Sequence, residues 1–537
     1  MVSTHTEPIY RAAMKHYGGA IGSIDMQFVN GAMYRRVVPL IAPDRDNGTV
    51  PPNAVLWLVT RLHPEFRRRE KRAAEVLANK TFLREVRAWN ETERYEWIDR
   101  NRRMQAIVPH ELTDADLADH LRTLGEFLVD GWTRHHELHA SDIGPIGDLI
   151  AHAIEWGIDP TDAMSLLQGS SPATTSVTDH GKAIADALRA GGVDPATVTS
   201  IEQIRAVPDA AEALDSYVDL FGLRLISDYD IEGLTLNELP SAVVAIVRTA
   251  ATSTTRGGSA EQGRGSDLAD TVPATLEGSL RSQAGNPALF DDLVQSAREA
   301  YGVRDDNGPL TWAWPAGLTR RAYQEAGARL VEGSKLHRSA DVLELDVDEL
   351  AALLDGATEP TADDLAERAA VREEERSLDP PDVLGPPLAQ PDLKPLPPAT
   401  RRVMGLILAA VSMLEPEEEA ASRPHLTGLG IGNSSYTGTA RVVDDVATAI
   451  KTLDPGDVLV TAWTAPSFNA VLGIAGGVVV QEGGLLCHAA VMARELDIPA
   501  VIGCAEAMTG IRDGDLVEID PSAGRVTVLE SGTSKTS

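Results

Sequence analysis

Over most of the first 375 residues, apolar positions return every three or four, the spacing of helices that bury one stripe. From Pro64 to about Ile107 the run is charged, with Phe66, Ala74, Val76, Leu77, Phe82, Val86, Trp89 and Trp97 on one broad face. Its basic cluster, Arg67 to Arg72, reads as a solvated helix face because acidic partners lie nearby. Thr113 suits the N-cap of a further helix carrying Leu117, Leu121, Leu124 and Leu128. Helical patterns follow at about 143–157, 159–168, 179–190, 198–205, 209–221 and 240–251, then at about 271–283, 286–301 and 315–332. Tyr301 to Asn307 ends one of these elements, and Asp346 opens another. Residues 1–60 read instead as short strands and turns, with turn signals at Gly18-Gly19 and Asn30-Gly31. Ala54 to Val59 is apolar enough for a buried strand or a helix start.

Three breaks divide this pattern. Ser253 to Asp267 is rich in Gly and Ser and reads as a mobile loop. Residues 378–398 are proline-rich, hence extended and semi-stiff, and a helix at Thr400–Leu414 leads into the acidic tract Glu415 to Glu419. From Leu426 the pattern switches to short β-branched strands at 440–443, 457–461, 478–480, 500–502, 515–518 and 525–528, with turns at Gly456-Asp457 and Asp513-Gly514. The expected division is a largely helical domain over 1–375, a linker over 376–425, a small sheet-rich domain with two or three helices over 426–530, and a tail over 531–537.

The chemistry concentrates in the sheet-rich part. The strand Gly476 to Val480 runs into Gly483-Gly484, and His488 stands at the mouth of a helical run, Ala489 to Leu496, that Pro499 stops. A helix mouth offers unpaired N–H groups and partial positive charge, which suit a phosphoryl group. The glycines permit close approach of another backbone or a nucleotide. A neutral imidazole there can attack phosphorus. The alternative is a strand–turn–helix corner with a capping histidine. Arg494 either guides phosphate or pairs with an acid, Cys487 is a reactive thiol or a small packing residue, and Thr461 and Thr464 are candidates to line the pocket.

The segment Gly483, Gly484, Cys487, His488, Ala493, Arg494, Glu495, Ile498, Pro499, Ala500 resembles the phosphohistidine swivelling domain of the phosphoenolpyruvate (PEP)-utilising enzymes, and the match extends over roughly Leu426–Leu529. PEP synthase and pyruvate phosphate dikinase carry Thr two residues before the histidine; Leu486 stands here, as in rifampicin phosphotransferase, so regulation by phosphorylating that Thr is ruled out. The helical region resembles, more loosely, the substrate domain of rifampicin phosphotransferase through Phe28–Gly31, Tyr301–Asp306 and the spacing from Arg329 to Leu343. The resemblance implies a β/β/α swivelling domain with His488 as phosphoryl carrier and Gly483, Gly484, Cys487, Ala489 and Arg494 as its phosphate-binding loop.

Composition narrows the partners. A net charge of −32 argues against nucleic acid, whose phosphates need a basic face. Cys487 and Cys504 exclude a disulfide framework and fit a reducing compartment; with no apolar leader and no apolar run of membrane length, the expected location is cytoplasmic. There is no P-loop and no region of the kind an ATP-grasp domain needs. The resemblance therefore implies that ATP and Mg2+ belong to a separate ATP-grasp subunit, the layout of phenylphosphate synthase and the related 4-cresol-phosphorylating enzymes, with a small, phenol-like hydroxyl compound as acceptor. No metal site is expected on this chain.

Outside the last domain the richest polar cluster is His135, His136 and His139. Their i, i+3 and i, i+4 spacing offers an acceptor-site base, with His136 or His139 in that role, or a metal pair, against the plainer reading as surface or core histidines. Arg304 and Arg224 would meet phosphate or dock the carrier, or else form ion pairs at helix ends. Three functions compete: the histidine-bearing subunit of a dikinase-type phosphotransferase; a phosphocarrier or regulatory module without acceptor chemistry; and a metal hydrolase built on the 135–139 histidines.

Overall fold

A computed structural model describes residues 3–29, 32–41, 43, 51–226, 230–253, 274–378, 381, 383–385, 392–413, 426–432, 434–464 and 468–532. They pack as two compact units, Met1–Gly144 with Leu310–Ile407 and Pro145–Pro309 with Leu408–Ser537.

In chain order, α1 (Ser3–Tyr17) precedes a hairpin of β1 (Ser23–Val29) and β2 (Ala32–Val38), paired antiparallel with Ser23 opposite Val38. Then come α2 (Asn53–Leu62), α3 (Pro64–Ala78), α4 (Thr81–Ala88), a π-helical turn at Trp89–Glu93, α5 (Arg94–Gln105) and α6 (Asp114–Glu155). The strands-and-turns reading of residues 1–60 thus holds for the hairpin and is corrected at α1 and α2, which are helices. Thr6, Ile9, Ala13, Met14 and Tyr17 are buried at helical spacing, a stripe masked in the sequence by Pro8 and polar neighbours. Gly18, at φ +76°, ends α1 as the turn signal required. Asn30 and Gly31 lie outside the described residues. The apolar start of α2 is not buried: Val55, Trp57 and Leu58 are each about half exposed. In the basic cluster Arg69 also departs from expectation. It is 5% exposed and donates to the Gly19 carbonyl and to Glu65.

Helix α6 runs 42 residues, where the sequence pattern suggested separate helices. Thr113 caps it, its hydroxyl accepting from the Asp116 N–H at 3.2 Å. The helix continues through Pro145, and the division between the two units falls at that point.

The next helices are α7 (Pro160–Ser165), α8 (Pro172–Ala190), α9 (Ile201–Arg205), α10 (Pro208–Phe221), α11 (Pro240–Ser253), α12 (Ala274–Gln283) and α13 (Pro287–Gly308). The Gly/Ser-rich stretch falls, from 254 to 273, outside the described residues. Tyr301 to Asn307 does not end an element but lies inside α13, because Tyr301, Val303, Asp306 and Asn307 are buried and Asn307 donates to the Val303 carbonyl. After a π-helical turn at Pro309–Ala313 come α14 (Trp314–Glu332), α15 (Val347–Leu354), α16 (Ala362–Arg376) and α17 (Pro398–Ser412). Asp346 caps α15 as expected, and a Thr361–Asp364 capping box starts α16, which the sequence reading lacks. Val403 and Leu406 of α17 join Ala13, Tyr17, Val76 and Phe82 in the core of the first unit. Residues 415–419 and much of 379–391 lie outside the described residues.

The C-terminal part holds one mixed sheet in the order β3 (Leu429–Ile431), β7 (Ala500–Ile502), β6 (Gly477–Val480), β5 (Val458–Thr461), β4 (Tyr436–Val442), β8 (Leu516–Asp520), β9 (Arg525–Glu530). Pairs β4–β5, β5–β6 and β6–β7 are parallel and the rest antiparallel. The parallel strands β5, β6 and β7 are buried at every residue, as strands covered on both faces are, whereas β8 alternates. Val458, Val460, Val479, Val501, Val517 and Ile519 share the core. Among the described residues four short helices accompany the sheet, α18 (Val446–Thr452), α19 (Asn469–Leu472), α20 (His488–Glu495) and α21 (Ala507–Gly510), rather than two or three. Strand β3 was hidden by Gly428, Gly430 and Gly432, which weaken strand propensity. Among the described residues no helix is long and apolar enough to cross a membrane.

Candidate active site

The β6–α20–β7 unit is a parallel crossover, so the chain must turn at the carboxyl end of β6 and enter a helix. Gly483 makes the turn at φ +107°, and the carbonyl of buried Gly484 accepts from the Cys487 N–H at 3.0 Å. Leu486, 2% exposed, donates its N–H to the Met413 carbonyl. Cys487 is the N-cap residue and His488 the first residue of α20, with Ala489 buried behind it. The helix ends before Pro499 is reached. Asp497 adopts φ +51°, and the N–H groups of Asp497 and Ile498 return to the Arg494 and Ala493 carbonyls, a Schellman closure.

His488 is half-buried, and both ring nitrogens are engaged. Nδ1 lies 2.9 Å from the Thr464 hydroxyl and Nε2 lies 2.7 Å from Asn469 Oδ1. Thr464 follows the carboxyl end of β5 and Asn469 begins α19, so the three side chains meet outside the carboxyl ends of adjacent parallel strands, where α/β sheets place ligands. Desolvation pulls the imidazole down to about 3, so the ring is neutral at physiological pH and has a lone pair for chemistry. Thr464 belongs to the site, while Thr461 is 1% exposed on β5 and turns to the Trp463 carbonyl. Asn469 was missed by sequence reasoning, although it lies only five residues beyond Thr464.

Arg494 is buried, 5% exposed, and its Nη1 donates to the Leu485 carbonyl at 2.6 Å, tying the glycine loop to the helix. Burial pushes the Cys487 thiol up, opposed by the Ala490 N–H, Arg494, the Ala489 N–H and Arg304. That places Arg304, on α13, within electrostatic reach of the His488 loop. Arg224 stacks instead over the Phe221 ring at 4.5 Å.

A second set of contacts joins α20 to the helices of the same unit. Gln168 donates to the Arg494 carbonyl, and the Gly169 N–H donates to the Glu495 carboxylate at 3.0 Å. Glu495 is pushed up to about 8 by burial, with the Gly169 N–H pulling it down, Asp305 pushing it up and Arg494 pulling it down. A carboxyl raised in this way favours the folded state most below its ordinary value near 4.5, and the benefit is lost as pH rises toward 8. Glu495→Gln keeps an acceptor without the charge. The melting temperature of the wild type is expected to fall between pH 5 and pH 8, and that of the variant to fall clearly less, as differential scanning calorimetry would register.

His135, His136 and His139 lie in the other unit. His135 and His136 are each 5% exposed, and His136 Nδ1 pairs with the Trp132 carbonyl at 2.9 Å, its basicity lowered by burial. His139 meets buried Asp142 at 3.1 Å. Among the described residues no three side chains of metal-binding type converge to hold an ion.

The fold and this histidine loop define a phosphohistidine module: residues 453–524 match the family model described as "PEP-utilising enzyme, mobile domain". Among curated relatives, rifampicin phosphotransferase of Streptomyces sp is 29% identical over 343 residues, which cover 61% of this chain and 36% of that protein. An uncharacterized phosphotransferase, YvkC, of Bacillus subtilis is 36% identical over 113 residues, 21% of this chain and 14% of its own. Phosphoenolpyruvate synthase of Escherichia coli is 39% identical over 97 residues, 18% of this chain and 12% of the enzyme. The chain spans little more than a third of the length of the longest-matching of these.

Proposed function

We propose that this chain is the histidine-bearing part of a dikinase-type phosphotransferase, carrying a phosphoryl group on His488 from ATP, bound with Mg2+ on a separate ATP-grasp polypeptide, to the hydroxyl of a small, phenol-like acceptor. The observation that carries the reading is the neutral imidazole at the first turn of α20, in a loop that matches the mobile domain of the PEP-utilising enzymes. Attack by a ring nitrogen forms the N–P bond as the donor P–O bond breaks. Attack by the acceptor oxygen then reverses this, with a base taking the hydroxyl proton. His136 and His139 are the candidate bases, and Arg304 and Arg224 the candidate phosphate or docking residues. Tethering the carrier to its acceptor domain keeps the donor at high effective concentration.

A second reading, a phosphocarrier without acceptor chemistry, is favoured by how thoroughly the helical regions are filled: Trp89, Trp314, Tyr217, Tyr301 and Phe290 are all under 2% exposed. In the first unit a groove of about 1100 Å³ is lined by Glu344, Asp348, Glu349 and Asp364 among others, a charged lining unlike one that would hold a phenol. The two readings separate when phosphorylated chain is mixed with phenol or p-cresol. The first predicts that phosphohistidine discharges to the phenol well above its rate of hydrolysis, read as aryl phosphate. Discharge to water alone supports the carrier reading.

A further inference from the structure

Asn469 faces the atom that would react. A neutral imidazole has one N–H and one lone pair, and which nitrogen holds which is set by its neighbours. The carboxamide oxygen of Asn469 faces Nε2 at 2.7 Å and can only accept, an arrangement that forms a hydrogen bond when the proton is on Nε2. The Thr464 hydroxyl then donates to Nδ1 at 2.9 Å. In this arrangement the ring's one lone pair, on Nδ1, is held by Thr464 and is not open to phosphorus.

We propose that Asn469 is a two-faced cap on His488: its oxygen side holds the ring silent, and its nitrogen side, turned inward, opens Nε2 and then steadies the phosphoryl group placed there. The proposal rests on reading His488 as the phosphoryl carrier.

Thr464 makes the exchange possible, because a hydroxyl both donates and accepts. Turning the carboxamide over leaves the ring in place and reverses both bonds. The proton now resides on Nδ1 and is donated to Thr464 Oγ1, so the Nε2 lone pair is free of the proton and faces Asn469 Nδ2–H, a neutral donor that gives way to the incoming phosphorus. When a donor arrives, the Nε2 lone pair forms the N–P bond. The P–O bond to the leaving group breaks and its electron pair departs with that oxygen, while the Nδ1 proton stays where Thr464 accepts it. Asn469 Nδ2 is then placed to donate to a phosphoryl oxygen. Transfer to an acceptor runs the same balance in reverse, and the retained Nδ1 proton makes the ring a better leaving group.

The cap's seat is firm on one side and adjustable on the other. Phe468, Val471 and Leu472 anchor α19 in the core, each 4% exposed or less. The same short helix packs between α20 and the helices α8 and α11 of this unit. Seating the module on α8 and α11 therefore also seats the cap, which ties the reactivity of His488 to where the module rests. Asp at this position would lose the donor face, and Ala would lose both.

The test uses the full chain with 15N-labelled histidine and phosphoramidate as a donor that needs no partner protein. Before loading, the wild-type His488 ring is expected to show the Nε2–H tautomer by 1H–15N correlation. Asn469→Asp, which accepts only, should load His488 about tenfold or more slowly than wild type. Asn469→Ala should load at least as fast as wild type, and its phosphohistidine should hydrolyse several-fold faster. An Nδ1–H tautomer in the resting protein, an Asp variant that loads like wild type, or Asp and Ala variants slowed alike would each overturn the cap. If the wild-type chain never acquires phosphate at His488, the carrier reading itself fails, and the cap with it.

Discussion

With an ATP-grasp protein of the proposed kind and ATP, a chain carrying His488→Ala is expected to take up no acid-labile phosphate and to unfold at the temperature of the wild type. The first half follows from chemistry: no other imidazole in the described residues stands at the mouth of a helix behind a glycine turn, neutral and with its nitrogens addressed by Thr464 and Asn469. Removing a nucleophile of this kind costs on the order of 10³-fold or more in rate. The second half follows from position. His488 is half-buried at the first turn of α20, and the fold's weight rests on Ala489, Ala490, Val491, Met492 and Ala493 behind it, each 2% exposed or less. Labelled ATP followed by acid and alkali stability of the protein-bound label measures uptake, and calorimetry measures the fold.

Gly483→Ala should be nearly as damaging, by a different route. The glycine sits at φ +107°, where an L side chain is strained, and an added Cβ would lie 2.8 Å from both Cβ and Sγ of Cys487. Backbone strain of this sort costs about 1–3 kcal/mol. The steric conflict falls on the residue that caps α20, so Cys487 and His488 must shift together. Stability should fall by that amount and phosphate uptake by tenfold or more. Gly514→Ala supplies the control: its φ is +86°, but nothing lies within 4 Å of the added carbon. It should destabilise the module without changing uptake per folded molecule. Equal losses of uptake in both variants would mean that the Gly483 loop has no special hold on His488.

What the sequence disclosed about this site was local. A strand, two glycines, a histidine and a small-residue helix lie within some twenty residues, and each leaves its own mark on composition and spacing. The succession of parallel strands was legible for the same reason, because strands buried on both faces read as unbroken Val, Ile and Leu. What escaped depends on distant partners. Asn469 acquires its role only because the chain leaving β5 returns to the mouth of α20. Glu495 looks like an ordinary helix-end acid until Gly169, 326 positions earlier, brings its N–H to it. Arg494 was weighed as a phosphate guide or an acid's partner, and the loop carbonyl it holds belongs to Leu485. Among the helices, α1 was obscured by Pro8, and α6 runs on through Pro145, where local rules expect a break. The exposed face of α2 could not be foreseen, since an apolar run says nothing of what covers it.

The most direct measurement is to locate the phosphate. The intact chain is incubated with ATP, Mg2+ and an ATP-grasp partner, digested at alkaline pH, and its peptides are read by mass spectrometry. The account predicts one acid-labile phosphate, on His488, gained with the consumption of ATP and lost when acceptor is added. Phosphate on any other side chain with His488 unmodified, while ATP is turned over, would contradict it.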